Sequence, residues 1–238
     1  MTRRNLSQTA LAAAFVSPGG APVEPHMRLA SPEPGRLTVA LTFDGCPGGF
    51  DDRIASALAA ACIPATLFLT DVWMRRNPAG LAFFLAHRDL FAIQNHGARH
   101  IPPILGSGTL YGLPVAGDLA TVRQEVQGGA DAIQAATGTA PRWYRAAAAR
   151  YSPAVLPVIR DMGFAIAGFS LAADLGASLP AHAVEARIAA ASNGDVVLAH
   201  INQPHRPSGA GVVAGVLALQ RRGARFVQLD QTAVTPAG

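Results

Sequence analysis

The chain has 238 residues, 50% of them hydrophobic, enough to bury the core of one large domain. Its net charge is +4, but all 19 basic residues are Arg and they are scattered, which argues against a nucleic-acid-binding face. Two cysteines, Cys46 and Cys62, are too few for a disulfide scaffold and match no zinc motif alone, and no segment offers the roughly 18 uninterrupted apolar residues of a membrane span.

The first 35 residues differ from the rest. Arg3 and Arg4, a short apolar run and then Pro, Gly and Ser follow the order of a secretory signal, and Thr2 to Leu6 resembles a twin-arginine signal. Residues 1–35 are therefore expected to be signal-like, giving a periplasmic or secreted address, or a disordered tail on a cytoplasmic protein. From 36 to 232 strand-like and helix-like pieces alternate. The strand "RLTVALTF" leads to a helix near 51–61, "PATLFLT" to a helix near 75–87, and then comes "LFAIQNH". A Gly/Pro-rich loop (101–117) precedes an amphipathic helix near 118–136, "RWYRA", a helix near 153–162 and "FAIAGFS". The pattern closes with helices near 181–191 and 209–222, each followed by a strand, "DVVLAH" and "RFVQLD", before a tail at 233–238. Such alternation implies βαβ units, hence an α/β fold: one domain with about seven parallel strands, closed into a barrel.

Several strands end on polar residues: Asp44, Asn95 with His96, Arg145 and His200. In a parallel barrel these ends share one rim, so residues far apart in sequence face one pocket. His96 and His100 lie four apart, and a helical turn or tight loop would present both imidazoles to a divalent metal such as Zn²⁺; the alternative is one hydrogen-bonded and one solvated histidine. His200 is placed either to protonate a leaving group or as a satisfied core histidine. Arg145, after Trp143 and Tyr144, is suited to hold a carboxylate ionised, whereas Arg142 and Arg150 read as surface ion-pairing residues. Asp51 or Asp52 reads as the N-cap of the following helix, and Cys46 as a small turn residue.

Taken in order, "TFDG", "NHGARH", "RWYRAAAA", "AADLG" and "VVLAH" resemble the five motif blocks of the polysaccharide deacetylase family, metal-dependent carbohydrate esterases acting on substrates such as chitooligosaccharides and peptidoglycan. The likeness spans about residues 37–230 and implies a distorted (β/α)7 barrel. It makes Asp44 the catalytic base, His96 and His100 metal ligands, Arg145 the residue that orients the base, and His200 the general acid. Gly45 stands where the family's metal-binding Asp belongs, Ala146 to Ala149 replace a Pro-Pro-aromatic run, and the Trp of the fourth block is missing; this chain resembles a divergent subgroup. In a similar subgroup the first block reads Asp, small residue, Cys, with another Asp several residues on. That resemblance makes Asp51 a third ligand, with Asp44 itself as the alternative, and Asp174 a substrate-binding acid.

The implied function is metal-dependent removal of N-acetyl or other N-acyl groups from an amino sugar or polysaccharide. One divalent ion would serve, zinc first, with cobalt or nickel as alternatives. Two other functions fit the departures from the motifs: hydrolysis of a small non-sugar amide or imide, and a barrel that binds glycan or protein without catalysis.

Overall fold

The computed structural model describes residues 20–30, 32 and 35–236; the twin-arginine pattern at Arg3 and Arg4 lies outside them. The chain runs through β1 (Met27–Leu29), β2 (Thr38–Gly45), α1 (Asp52–Ala60), β3 (Ala65–Leu69), α2 (Asp71–Arg76), α3 (Pro78–Ala86) and β4 (Phe91–Asn95). A short hairpin, β5 (Thr109–Leu110) and β6 (Leu113–Pro114), precedes α4 (Leu119–Thr137), β7 (Trp143–Tyr144), α5 (Val155–Asp161) and β8 (Ala165–Ile166). Then follow β9 (Leu171–Ala172), α6 (Ala181–Ala189), β10 (Val196–His200), α7 (Ser208–Arg221), β11 (Arg225–Val227) and β12 (Val234–Pro236). The single helix expected near 75–87 is two. Asn77 is held out of the helical region (φ −125, ψ 59), as a residue before proline prefers, and Pro78 restarts the helix where its missing N–H is not needed.

The main sheet is parallel, in the order β8-β7-β4-β3-β2-β10-β9, with β11 paired to the N-terminal part of β2. Its two edge strands, β8 and β9, are consecutive in the chain and separated only by residues 167–170. Five residue steps reach at most about 18 Å, so the edges must lie close together and the sheet must curl. The result is the expected (β/α)7-type barrel, with a seam between β8 and β9. Strand β9 falls in the stretch read only as a motif, and it is too short to leave a periodic signature.

Period-two alternation along the buried strands decides what faces the barrel interior. Val39, Leu41 and Phe43 of β2 join the outer core beneath the helices, with Ala65, Leu67 and Leu69 of β3 and Val197 and Ala199 of β10. The intervening residues point inward: Ala40, Phe68, Val196 and Leu198 form a second, inner core. Thr42, Asp44 and His200 fall in the same inward register, and these polar residues reach the rim.

Described residues on either side of the 36–232 stretch also pack on the barrel. Strand β1 pairs antiparallel with β12, Val23 bridges to Tyr151, and Met27 and Leu29 join the inner core. Two apolar side chains separated by one Arg are too brief a pattern to stand out among the prolines around them. Among the described residues no helix is long and apolar enough to cross a membrane.

Candidate metal and catalytic site

Parallel pairing of β10 with β2 sets His200 directly opposite Asp44. Both line a cleft of about 920 Å³, together with Cys46, His100, Tyr111 and Leu175. Each of these two side chains is held from behind by a buried partner.

Asp44 is held by Arg145, which is fully buried. Arg145 Nη1 donates to Asp44 Oδ1 and to Thr42 Oγ1, both at 2.9 Å, and Nη2 donates to the Gly168 carbonyl at 2.9 Å. Its guanidinium also lies 4.2 Å from the centroid of the Phe68 ring. Burial would raise the Asp44 pKa, but the charges of His96, Arg145 and His200 and the Arg145 hydrogen bond outweigh it and hold the carboxyl below its ordinary range.

His200 is held by Asp174, whose Oδ2 accepts the His200 backbone N–H at 2.7 Å and whose Oδ1 lies 2.8 Å from Nδ1. Asp174, expected to meet substrate, is placed behind His200. It is 1% exposed, and both its oxygens are occupied by His200, which fixes the imidazole with Nδ1 protonated and Nε2 on the side away from Asp174. Burial works against a charged imidazole, but the Asp174 carboxylate and contacts with Cys46 outweigh it and raise the His200 pKa well above the usual value.

The histidine pair sits on the tight loop after β4. His96 is buried, and its Nδ1 lies 2.7 Å from the Arg145 carbonyl, which leaves Nε2 as the free lone pair. The two imidazole centroids are 4.9 Å apart. The loop turns at Gly97 (φ 90) and His100 (φ 70), where a helix is impossible. Glu125 of α4 organises it: Oε1 accepts the backbone N–H groups of Arg99, His100 and Ile101 at 2.8, 2.7 and 3.1 Å. A Cβ on Gly97 would come within 2.5 Å of that same oxygen, so only glycine leaves the carboxylate room.

One ligand atom each from Cys46, His96 and His100 lie within 4.8 Å of one another, a Cys/His group able to hold a metal ion. His100 Nε2 is buried with no hydrogen-bond partner, as a ligand nitrogen would be. Asp51 is not part of this group, contrary to the ligand expectation. Arg53 Nε and Nη2 take Oδ1 and Oδ2 of Asp51 at 2.8 and 2.6 Å, and the carboxylate is packed against Gly209 at the start of α7. Asp51 does stand at the N-cap position of α1, as the sequence suggests, but its side chain makes no cap hydrogen bond.

Three residues of the site were not singled out for it in the sequence. Cys46 was read as a turn residue, because its partners lie 50 and more positions away. Glu125 carried a usable signal: it interrupts the buried stripe Val122, Val126, Gly129 of α4 at helical spacing, where an unpaired acid does not belong. Tyr111, 75% exposed at the tip of the β5–β6 hairpin and lining the cleft, left no trace in its loop sequence.

The curled parallel sheet and its polar rim define an α/β barrel that keeps its chemistry at the C-terminal strand ends. A model of the polysaccharide deacetylase family matches residues 31–167, more than half of the chain. The chain belongs to the polysaccharide deacetylase family. Among solved structures it is similar to a peptidoglycan N-acetylglucosamine deacetylase, Bc1960 (TM-score 0.68, 21% identity, covering 85% of this chain and 91% of that one). The peptidoglycan deacetylase PdaC from Bacillus subtilis gives 0.67 at 19% identity, covering 84% and 91%. A CE4 family pseudoenzyme from Bacillus anthracis gives 0.65 at 20% identity and 84% of this chain, which spans only 66% of that protein's length. At these identities the likeness is one of fold. A comparison with curated proteins returned no match.

Proposed function

We propose that the protein is a metal-dependent hydrolase that removes N-acetyl groups from an amino sugar or its polymer. The observation that carries this reading is that Asp44 and His200 stand side by side in register on adjacent strands and line one cleft, each fixed by a buried partner of opposite charge character, beside the Cys/His group. His96 and His100 would hold the metal, zinc first; the chemistry it would supply there is Lewis-acid polarisation of the acyl carbonyl and a lowered pKa of nearby water. Asp44, kept ionised by Arg145, accepts the proton of the attacking water. His200 carries a proton on Nε2 and delivers it to the amine nitrogen as the C–N bond breaks; Asp174 stabilises the resulting charge states and keeps the ring aimed. Tyr111 and Leu175 supply apolar faces at the mouth, in place of the missing Trp. A periplasmic or secreted address suits a cell-wall or exported polymer.

The test is acetate release from acetylated chitooligosaccharides and peptidoglycan fragments by zinc-loaded protein, beside Asp44→Asn and His200→Ala. Each variant is expected to lose about 10²–10⁴ in rate. Saccharide binding without any acetate release would leave a non-catalytic barrel, and turnover confined to small amides or imides would move the substrate outside the saccharides.

A further inference from the structure

The geometry points to Cys46 as the third metal ligand, its thiolate standing in for the carboxylate that position 45 lacks. This rests on His96 and His100 being ligands, as proposed above, and goes beyond it by naming a sulfur donor.

Four observations converge on the sulfur. Cys46 Sγ lies 3.4 Å from His96 Nε2, the nitrogen left free by the Arg145 carbonyl. His100 completes the group and brings a buried nitrogen with no partner. The loop carrying Cys46 is clamped, since Gly49 N–H donates to the Asn202 carbonyl and a Cβ on Gly48 would meet that oxygen at 2.5 Å. The competing acids are less well placed: Asp51 is taken by Arg53, and Asp44 gives one oxygen to Arg145 and holds the other 3.7 Å from His96 Nε2, farther than the sulfur. A site with two imidazoles and one thiolate keeps a position open for water and substrate, the arrangement of a catalytic zinc centre. It also selects zinc over the oxygen-loving magnesium and manganese. Binding replaces the Sγ–H bond by a sulfur–metal bond, and the proton leaves to solvent.

Cys62 is exposed and supplies an internal control. The experiment is a Co²⁺ titration of the reduced, metal-free full chain, followed by absorption, with thiol labelling of the Zn²⁺-loaded and metal-free protein. A thiolate-to-cobalt charge-transfer band should appear at one equivalent, persist in Cys62→Ser and vanish in Cys46→Asp, which still binds the ion. Labelling should find one reactive thiol with zinc bound and two without. Cys46→Ala should weaken binding at least about 100-fold, beyond the 10–100-fold that an outer partner costs. The wild-type band and Cys62→Ser decide the matter even where a Cys46 variant fails to fold. Metal binding without the band, and with both thiols reactive, overturns the cysteine ligand alone. A chain that binds neither Co²⁺ nor Zn²⁺ overturns the metal centre with it, as does metal-free turnover that leaves an acyl group on Cys46. None of the binding readouts depends on deacetylation, so a wrong substrate does not disturb them.

Discussion

Arg145 and Asp44 form an ion pair sealed inside the barrel, 2.9 Å apart, with the arginine fully buried and the aspartate 3% exposed. Removing one partner of such a pair leaves an uncompensated charge in a medium that cannot solvate it. Arg145→Met should cost about 3–5 kcal/mol of stability in urea denaturation. It should also raise the Asp44 pKa, because burial then acts with less opposition. Asp44 has a lowered pKa in the fold, so its stabilising contribution is present above the ordinary carboxylate pKa and fades as pH falls through the folded value. In Arg145→Met the acid limb of both stability and rate should move to higher pH. A variant as stable as the parent with an unmoved limb would show that Arg145 does not hold the base.

The His200–Asp174 pair sets the opposite limb. A general acid must be protonated, so activity is lost as pH rises through its pKa. That pKa is raised, which carries activity to more alkaline pH than an ordinary histidine allows. The groups that set the value are Asp174, which raises it most, Cys46, and the nearby Asp44, whose own pKa His200 helps to lower. Asp174→Asn removes the largest favourable charge and should shift the alkaline limb downward in pH, while leaving the acid limb, governed by Asp44, in place. A pH–rate profile of kcat/KM reads both limbs at once.

Glu125 never touches the cleft, yet three backbone N–H groups of the histidine loop converge on one of its oxygens. Glu125→Ala should therefore weaken Zn²⁺ binding about 10–100-fold, as losing an outer partner does. The orphaned N–H groups should also lower stability by roughly 1–3 kcal/mol. Competition with a chromophoric chelator measures the first effect and chemical denaturation the second. Unchanged zinc affinity would mean that the loop keeps its shape without the carboxylate.

Tyr111, which lines the same cleft, tests the saccharide reading independently. An aromatic ring left 75% exposed on a hairpin tip is a natural platform for the C–H face of a sugar. Tyr111→Ala should raise KM about tenfold, equivalent to ~1.4 kcal/mol, with kcat nearly unchanged. A fall in kcat at constant KM would place Tyr111 nearer the reacting bond.

Much of this site was legible because a parallel barrel converts strand ends into a rim. Asp44 and His200 could be assigned to one pocket without knowing any distance between them, since each closes an apolar run of strand length, and Arg145 could be placed behind them at the end of the short strand Trp143–Tyr144. The pair His96 and His100 was legible by spacing, although a loop with two left-handed residues presents it instead of a helix. Second partners were harder to read. Whether Asp174 faces substrate or His200, and whether Asp51 faces the metal or Arg53, depends on turns whose direction no local pattern encodes. Cys46 was read least well for the same reason: its neighbours His96 and His100 come from the loop after β4. Strands β1 and β12 show the limit for structure, since each is three residues long and the two pair only once the barrel brings them together.

Gly45 offers the sharpest test of how far this chain has departed from its family's first motif. Restoring the acid there by Gly45→Asp looks like a route to a better metal site, but the fold argues otherwise. A Cβ at position 45 would meet Leu69 Cδ2 at 2.5 Å and Trp73 at 3.6 Å, so the new side chain would be driven into the outer core beneath α2. Leu69 and Trp73 are both fully buried and have little room to yield. Overpacking of this kind costs about 1–3 kcal/mol, and a carboxylate set against Leu and Trp adds the desolvation of its charge. The expected outcome is a lower melting temperature with no gain in Zn²⁺ affinity, read by thermal denaturation and metal competition on the same preparation. If Gly45→Asp instead bound zinc more tightly at unchanged stability, the loop would have rotated to place position 45 at the rim, and Cys46 would no longer be the residue best placed to complete the site.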